Sequence, residues 1–159
     1  MNTIYLLLGS NMGNSEQQLS DAILQIKYQI GKVTNKSSLY ATAAWGNTNQ
    51  PEFLNQVVMV QSELAALPLL ENILFIEKKM GRVRTIKNAP RVIDIDILFF
   101  NKEIISTANL TVPHPEIENR RFVLIPLNEL SPDFIHPVSG LTVHTLLKNC
   151  TDALDVKNF

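Results

Sequence analysis

Residues 81–100 read Gly81-Arg82-Val83-Arg84-Thr85-Ile86-Lys87-Asn88-Ala89-Pro90-Arg91-Val92-Ile93-Asp94-Ile95-Asp96-Ile97-Leu98-Phe99-Phe100. The second half has the pattern of a strand. Val92, Ile93, Ile95, Ile97, Leu98, Phe99 and Phe100 form an apolar, β-rich run that Asp94 and Asp96 interrupt. Successive side chains of a strand point to opposite faces, so Asp94 and Asp96 share one face while Ile93, Ile95 and Ile97 share the other. Two carboxylates side by side on a mostly buried strand repel, and desolvating them costs roughly several kcal/mol unless a cation sits between them. Oxygen ligands at this spacing suit Mg²⁺, which takes one or two carboxylates together with phosphate oxygens. Taken alone, an Asp-x-Asp strand also fits an edge strand with one solvated face.

The first half supplies the opposite charge. The arginines of the chain are Arg82, Arg84, Arg91, Arg120 and Arg121, and three of them lie just before the aspartate pair. A guanidinium is a planar fork of donors that matches phosphate oxygens. Carboxylates for a metal, joined through a loop to guanidinium groups, suit phosphoryl-type transfer from a nucleotide. The loop over residues 83–90 mixes basic, small and Pro residues, as expected of a mobile lid that closes over a triphosphate.

Upstream, residues 4–8 read as a buried strand ending in the turn cluster Gly9-Ser10-Asn11. That cluster lacks the glycine spacing of a phosphate-binding loop, which favours a tight strand-to-helix turn. Ser15 to Gln18 resembles a capping box, with Ser15 as the cap. Leu19, Ala22, Ile23, Ile26 and Ile30 then form one apolar stripe, and Gly31 closes the helix. Residues 32–42 and 53–62 read as strands. In the second, Phe53, Asn55, Val57 and Met59 face one way and Leu54, Gln56, Val58 and Val60 the other. Phe53 and Asn55 fit ordinary core and strand-end roles, and equally a pair that stacks on a flat heterocycle and reads its edge. Trp45 lies in the loop between these strands, placed to wall or gate the same pocket.

Pro68 suits the first position of a second helix, whose apolar face carries Leu70, Ile73, Leu74, Ile76 and Met80 and which Gly81 ends. Glu77 reads as an i, i+4 neighbour in a surface ion pair. Beyond the aspartate strand, Thr111-Val112-Pro113-His114-Pro115 is rigid and non-helical, so His114 is held in place; a lone His is more often structural, and the alternative is a fixed imidazole that donates to a phosphate oxygen. A helix is expected over residues 122–130, broken or kinked at Pro126, and adjacent Arg120 and Arg121 diverge, so one of them faces a ligand. Residues 141–148 read as a short packing helix and residues 152–159 as a fraying tail. His136 and His144 lack partner motifs and read as incidental. The order strand, helix, strand, strand, helix, strand predicts an α+β, ferredoxin-like βαββαβ antiparallel sheet. Two long helices cover one face and an added C-terminal segment part of the other.

Composition narrows the function classes. The chain has 159 residues, 45% hydrophobic and 18% charged, with a net charge of −1. That length suits a single domain over residues 1–159, and the charge disfavours a nucleic-acid binder, which needs a basic stripe. Cys150 is the only cysteine, which excludes an intrachain disulfide and a Cys-based metal site. Without a long apolar run or a signal-peptide pattern, the expectation is a cytoplasmic protein with no membrane partner, and a monomer.

Lys87-x-Ala89-Pro90-Arg91-x-x-Asp94-Ile95-Asp96-Ile97-Leu98 resembles the signature of the 6-hydroxymethyl-7,8-dihydropterin pyrophosphokinases of folate biosynthesis. Further matches follow in order at Gly9-Ser10-Asn11, Phe53-Leu54-Asn55, Gly81-Arg82-Val83-Arg84, Val112-Pro113-His114 and Asn119-Arg120-x-Phe122, covering nearly the whole chain. The resemblance implies transfer of the β,γ-diphosphate of ATP to the hydroxymethyl group of the dihydropterin, releasing AMP. It implies two Mg²⁺ ions on Asp94 and Asp96 and charge neutralisation in the transition state by Arg82 and Arg91. It implies phosphate contacts from Arg84, His114 and Arg120, and nucleoside contacts near Glu77, Ile97 and Thr111. Phe53 and Phe122 would sandwich the pterin, whose polar edge meets Asn55 and the backbone around Thr42 and Ala43. The chain departs from the pattern at Asn88-Ala89, where Trp-Gly is frequent and the lid is one residue longer. Leu74 replaces a Gln, Asn109 and Pro115 an Arg and an aromatic, and Ala43-Ala44 common prolines. The other readings are a ferredoxin-like ligand-binding or regulatory module with a degenerate metal site, and a two-metal nuclease. Both aspartates and the matching arginines disfavour the first; the charge and the Phe53, Asn55, Phe122 set disfavour the second.

Overall fold

The computed structural model describes residues 1–43, 49–83 and 90–159. The apolar run at the N-terminus forms β1 (Asn2–Ser10), the strand on which the sheet is built. It pairs antiparallel with β4 (Phe53–Ser62) on one side and with β5 (Asp94–Phe100) on the other. Beyond β4 lie β2 (Lys32–Lys36) and β3 (Tyr40–Thr42), both antiparallel to it, and β8 (Val156–Asn158) extends the edge at β3. The order β5-β1-β4-β3-β8, with β2 also on β4, contains the expected ferredoxin-like arrangement.

The alternation in β1 sorts its side chains between two cores. Ile4, Leu6 and Leu8 face α1 (Ser15–Gln29) and α2 (Ala66–Lys79), where they meet Leu19, Ile23, Ile26, Leu69, Ile73 and Ile76. Tyr5 and Leu7 face α3 (Arg121–Leu130) and α4 (Val143–Asn149), with Val57, Phe99, Leu124, Leu127 and Leu146. The added C-terminal segment thus covers the second face, as expected. In β5 the alternation breaks once: the register to β1 shifts between Tyr5 and Leu6, and Leu98 and Phe99 both turn to the second core. A two-stranded ribbon of β6 (Ile105–Ser106) and β7 (Thr111–Val112) and a 3₁₀ turn at Ile117–Asn119 lead into α3.

Several local expectations are corrected. The cap of α1 is Asn14, whose Oδ1 accepts from the Gln17 N–H at 3.2 Å, in place of Ser15. Pro68 lies inside the first turn of α2, whose N-cap is Ala65. The strand expected over residues 32–42 is two strands. At the break the Ser37 Oγ accepts from the Val57 N–H, and the Ser38 N–H and Oγ donate to the Glu129 carboxylate on α3. α3 runs through Pro126 without a break, with the ring buried: proline's fixed φ is compatible with a helix, and burial offsets the missing donor. The tail does not simply fray, since Asp152 Oδ2 accepts from the Arg121 N–H at 3.0 Å and β8 pairs with β3. No described helix is long and apolar enough to cross a membrane.

Candidate active site

Cross-strand register brings the site together at one end of the sheet. Gly9 on β1 lies opposite Asn55 on β4 and Asp94 on β5, and Leu7 lies opposite Asp96. Partners across a ladder share a face, so Asp94, Gly9 and Asn55 form one row. Around that row an inner pocket is lined by Thr42, Ala43, Phe53, Asn55, Arg91, Asp94, Asp96, Arg120 and Phe122, with Leu7 and Gly9 as its floor. An outer groove between α2 and β5 is lined by Glu77, Ile97, Thr111 and His114 among others. Asp96 lines both. The residues expected to meet a heterocycle and those expected to meet a nucleoside therefore lie on either side of one carboxylate. Trp45 and Arg84, and the lid between Val83 and Pro90, lie outside the described residues.

The inner pocket is walled by aromatic and polar side chains. Phe53 and Phe122 are half-buried in its lining, and Asn55 is 2% exposed. Among the described residues the Asn55 Nδ2 has no hydrogen-bond acceptor. A buried donor left so costs about 1–3 kcal/mol, which an acceptor on a bound ring removes. Gly9 keeps the floor open: a Cβ there would lie 3.2 Å from Asn55 Oδ1 and 3.5 Å from Phe53 Cδ1. From the sequence Gly9 was read as part of a turn cluster and a motif match, with no place in a pocket, and Leu7 only as part of the buried strand; β1 in fact runs on through Gly9 to Ser10. Gly9 sits inside a strand, where only knowledge of both neighbouring strands reveals a row that needs an empty position.

The charged groups form one network around Asp94. Its Oδ1 accepts from Arg82 NH1 at 2.5 Å and its Oδ2 from Arg91 NH1 at 3.1 Å. Arg82 also donates to Glu77 Oε2 at 2.9 Å and to the Ile93 carbonyl at 3.4 Å. Charge-assisted bonds of this kind are about twice as strong as neutral ones. Burial works against the Arg82 charge, but Asp94 and Glu77 outweigh it and hold its pKa above the ordinary arginine value. The Arg91 guanidinium also stands 5.3 Å above the centre of the Phe53 ring, a cation–π contact.

Glu77 differs from its expected surface role. It is 2% exposed, its partner is five residues on rather than four, and its Oε2 also accepts from the Ile95 N–H at 2.8 Å. The carboxylate thus fastens α2, Arg82 and β5 together. A helix-surface periodicity could not show this, because the contact depends on where the chain turns after the helix.

Asp96 is held differently from its neighbour. Burial, then the carboxylates of Asp94 and Glu77, push its pKa up to about 7, against the pull of Arg120 and Arg82. The two acids on one strand face are thereby held differently: Asp94 is bound by guanidinium groups, and Asp96 is raised by burial and its acidic neighbours. Among the described residues no cluster of three or more His, Cys, Asp or Glu side chains could hold a metal. A pair of carboxylates suffices for Mg²⁺, which keeps several waters and takes phosphate oxygens, so the donor set fits that ion.

On the groove side, the His114 Nδ1 accepts from the Glu116 N–H at 3.1 Å, which places the neutral ring's proton on Nε2 as a donor. Burial, then the Arg120 charge, lowers its pKa. The His114 N–H reaches the Leu98 carbonyl at 3.1 Å and ties this segment to β5. Arg120 points into the inner pocket from the start of α3, 5.8 Å from the Phe122 ring centre, and Arg121 is not among the lining residues, as expected of adjacent positions. Leu74, Asn109 and Pro115, where the chain departs from the family pattern, all line the outer groove.

Fold and site define a ferredoxin-like α+β architecture with a polar, aromatic-walled pocket joined through the Asp96 carboxylate to a second groove. A sequence model of the 7,8-dihydro-6-hydroxymethylpterin-pyrophosphokinase (HPPK) family matches residues 5–132. The 2-amino-4-hydroxy-6-hydroxymethyldihydropteridine pyrophosphokinase of Aquifex aeolicus is 41% identical, over 87% of this chain and 86% of its own length. That of Haemophilus influenzae is 35% identical over 99% and 98%. The folic acid synthesis protein fol1 of Pneumocystis carinii is 40% identical over 94% of this chain, which spans only 20% of that longer protein. Among solved structures, Plasmodium falciparum HPPK-DHPS with pteroate superposes with a TM-score of 0.76 at 20% identity, over 92% of this chain and 42% of that one. The chain belongs to the HPPK family.

Proposed function

We propose that this chain transfers the β,γ-diphosphate of ATP to the hydroxymethyl group of 6-hydroxymethyl-7,8-dihydropterin, giving the pterin diphosphate and AMP in folate synthesis. The observation that carries this reading is the position of Asp96, which lines the aromatic-walled inner pocket and the outer groove at once. A reaction that joins two substrates needs its charged centre between them.

Phe53 and Phe122 hold the pterin ring, and the Asn55 amide reads its polar edge with the backbone at Thr42 and Ala43. Glu77, Ile97 and Thr111 border the nucleoside, and His114 Nε2 and Arg120 contact phosphate oxygens, with Arg84 added from the lid. Asp94 and Asp96 would hold Mg²⁺, which when bound screens the triphosphate charge and draws phosphate oxygens to the carboxylate pair. The substrate hydroxyl oxygen forms a bond to the β-phosphorus as its proton is released to water, and the bond from that phosphorus to the oxygen bridging it to the α-phosphate breaks, that oxygen and its electron pair leaving with AMP. Arg82 and Arg91 are held beside the acid pair by Asp94. From there their guanidinium donors offset the charge that develops on phosphate oxygens at the breaking bond.

The test is direct. ATP, Mg²⁺ and 6-hydroxymethyl-7,8-dihydropterin are incubated with the protein and the nucleotide products separated. Pterin-dependent AMP is the expected product; ADP, or no nucleotide turnover, would contradict the assignment.

A further inference from the structure

Asn11 lines neither cavity, yet its side chain is bonded to both segments that flank the inner pocket. It is 2% exposed. Its Nδ2 donates to Gln50 Oε1 at 2.7 Å and to the Pro51 carbonyl at 3.1 Å. Its Oδ1 accepts from the Arg91 N–H at 2.9 Å, and its own N–H donates to the Arg91 carbonyl at 3.2 Å. Pro51 lies two residues before Phe53, and Arg91 three before Asp94. Asn11 itself follows directly on β1, which is held on both sides by β4 and β5.

We infer that Asn11 is a positioning residue for the transfer reaction: from the end of the rigid central strand, it sets the Arg91 guanidinium over the Phe53 ring and against Asp94. The inference rests on the function proposed above and adds a residue to it. An amide suits this position, because it accepts from the Arg91 N–H while donating to the Pro51 carbonyl and to Gln50 Oε1. A carboxylate serves the Arg91 side but cannot donate to the Pro51 carbonyl, and alanine serves neither. The two contacts that Asn11 governs, Arg91 over Phe53 at 5.3 Å and Arg91 to Asp94 at 3.1 Å, are where pterin pocket and acid pair meet. Misplacing a catalytic group by an ångström costs up to about a hundredfold in rate, so a latch outside the pocket has kinetic consequences.

The experiment is a double-mutant cycle of Asn11→Ala with Arg91→Ala, read by AMP release. Binding of α,β-methylene-ATP, and then of 6-hydroxymethylpterin to the nucleotide-loaded protein, is measured by calorimetry, and amide exchange at Arg91 by NMR. In the wild-type background Asn11→Ala is expected to lower kcat and weaken pterin binding by about tenfold or more, with nucleotide affinity within about twofold. In the Arg91→Ala background the same substitution should change kcat, or pterin affinity where kcat is too low to read, by less than about threefold. The Arg91 amide should exchange faster in Asn11→Ala and stay protected in Asn11→Asp, which still loses pterin affinity and serves where the alanine variant is unstable. Equal losses in both backgrounds, unchanged kinetics and pterin binding, or a matching fall in nucleotide affinity would each overturn the role. A wild-type protein that binds both ligands without making AMP refutes the proposed reaction, while the exchange and binding measurements still decide the latch.

Discussion

Asp96 and Asp94 are two residues apart in sequence and differ in chemistry because of what surrounds each. Asp94 is bound by Arg82 and Arg91, whereas burial and the carboxylates of Asp94 and Glu77 raise the Asp96 pKa to about 7. Asp96→Asn keeps the shape and removes the charge. It is expected to lower the rate of AMP formation about a thousandfold or more, equivalent to several kcal/mol of transition-state stabilisation. Thermal stability in metal-free buffer should not fall, since the substitution relieves a buried like-charge contact; a thermal melt beside the kinetic assay checks both. Gly9 makes the reverse case, a residue that matters for what it lacks. Gly9→Val fills the floor between Asn55 and Phe53 and is expected to abolish pterin-analogue binding while α,β-methylene-ATP still binds, as calorimetry would read. Loss of nucleotide binding as well would place the damage in the strand rather than in the pocket.

At the scale of elements, two glycines after helices act for different reasons. Gly81 has φ +97° and follows α2 in a Schellman arrangement, with its own N–H on the Lys78 carbonyl and the Arg82 N–H on the Glu77 carbonyl. This turn brings the Arg82 side chain back onto the Glu77 carboxylate of the helix it has just left, and onto Asp94 beyond. A Cβ at Gly81 would meet nothing within 4 Å, so the cost of Gly81→Ala is backbone strain of about 1 kcal/mol. Gly31 was expected to work the same way after α1, but it is not among the glycines with positive φ. There a Cβ would collide with the Gln61 carbonyl oxygen on β4. Gly31→Ala should therefore cost more stability than Gly81→Ala in urea unfolding, yet leave kcat nearly unchanged in the folded protein. Gly81→Ala should cost less stability and more activity, because it disturbs Arg82.

For the molecule as a whole, the second core decides how the C-terminal third is held. His136 was read as incidental and is instead 4% exposed. Its ring stands edge-on to Phe99, and its Nδ1 accepts from the Val138 and Ser139 N–H groups at 3.2 and 3.3 Å. Burial lowers its pKa, and Glu118 at 3.7 Å offsets this only in part. The neutral ring is the form that the fold favours. Its contribution to stability is complete above the unfolded value of about 6.5 and is lost as pH falls through the lower folded value. Between about pH 7 and pH 5, the melting temperature of the wild type should therefore fall more than that of His136→Gln, the difference removing carboxylates common to both. Parallel curves would assign no buried neutral state to this ring.

What could be read from the chain alone follows from short-range periodicity. The alternation around Asp94 and Asp96 specified their common face, the apolar stripes specified two helices, and the element order specified a ferredoxin-like sheet, because strand and helix periods act over a few residues. Matching motifs pointed to the residues expected to meet pterin and nucleotide, and those within the described residues line the two cavities. Convergence was not legible. Nothing near Glu77 in sequence shows that it caps the Ile95 amide, nothing near Gly9 that Asn55 and Asp94 flank it, and nothing in the tail that it pairs with β3. Those facts depend on strand register and on bonds between residues far apart in the chain. Local preference leaves such choices open, and the packing of both cores against one sheet makes them.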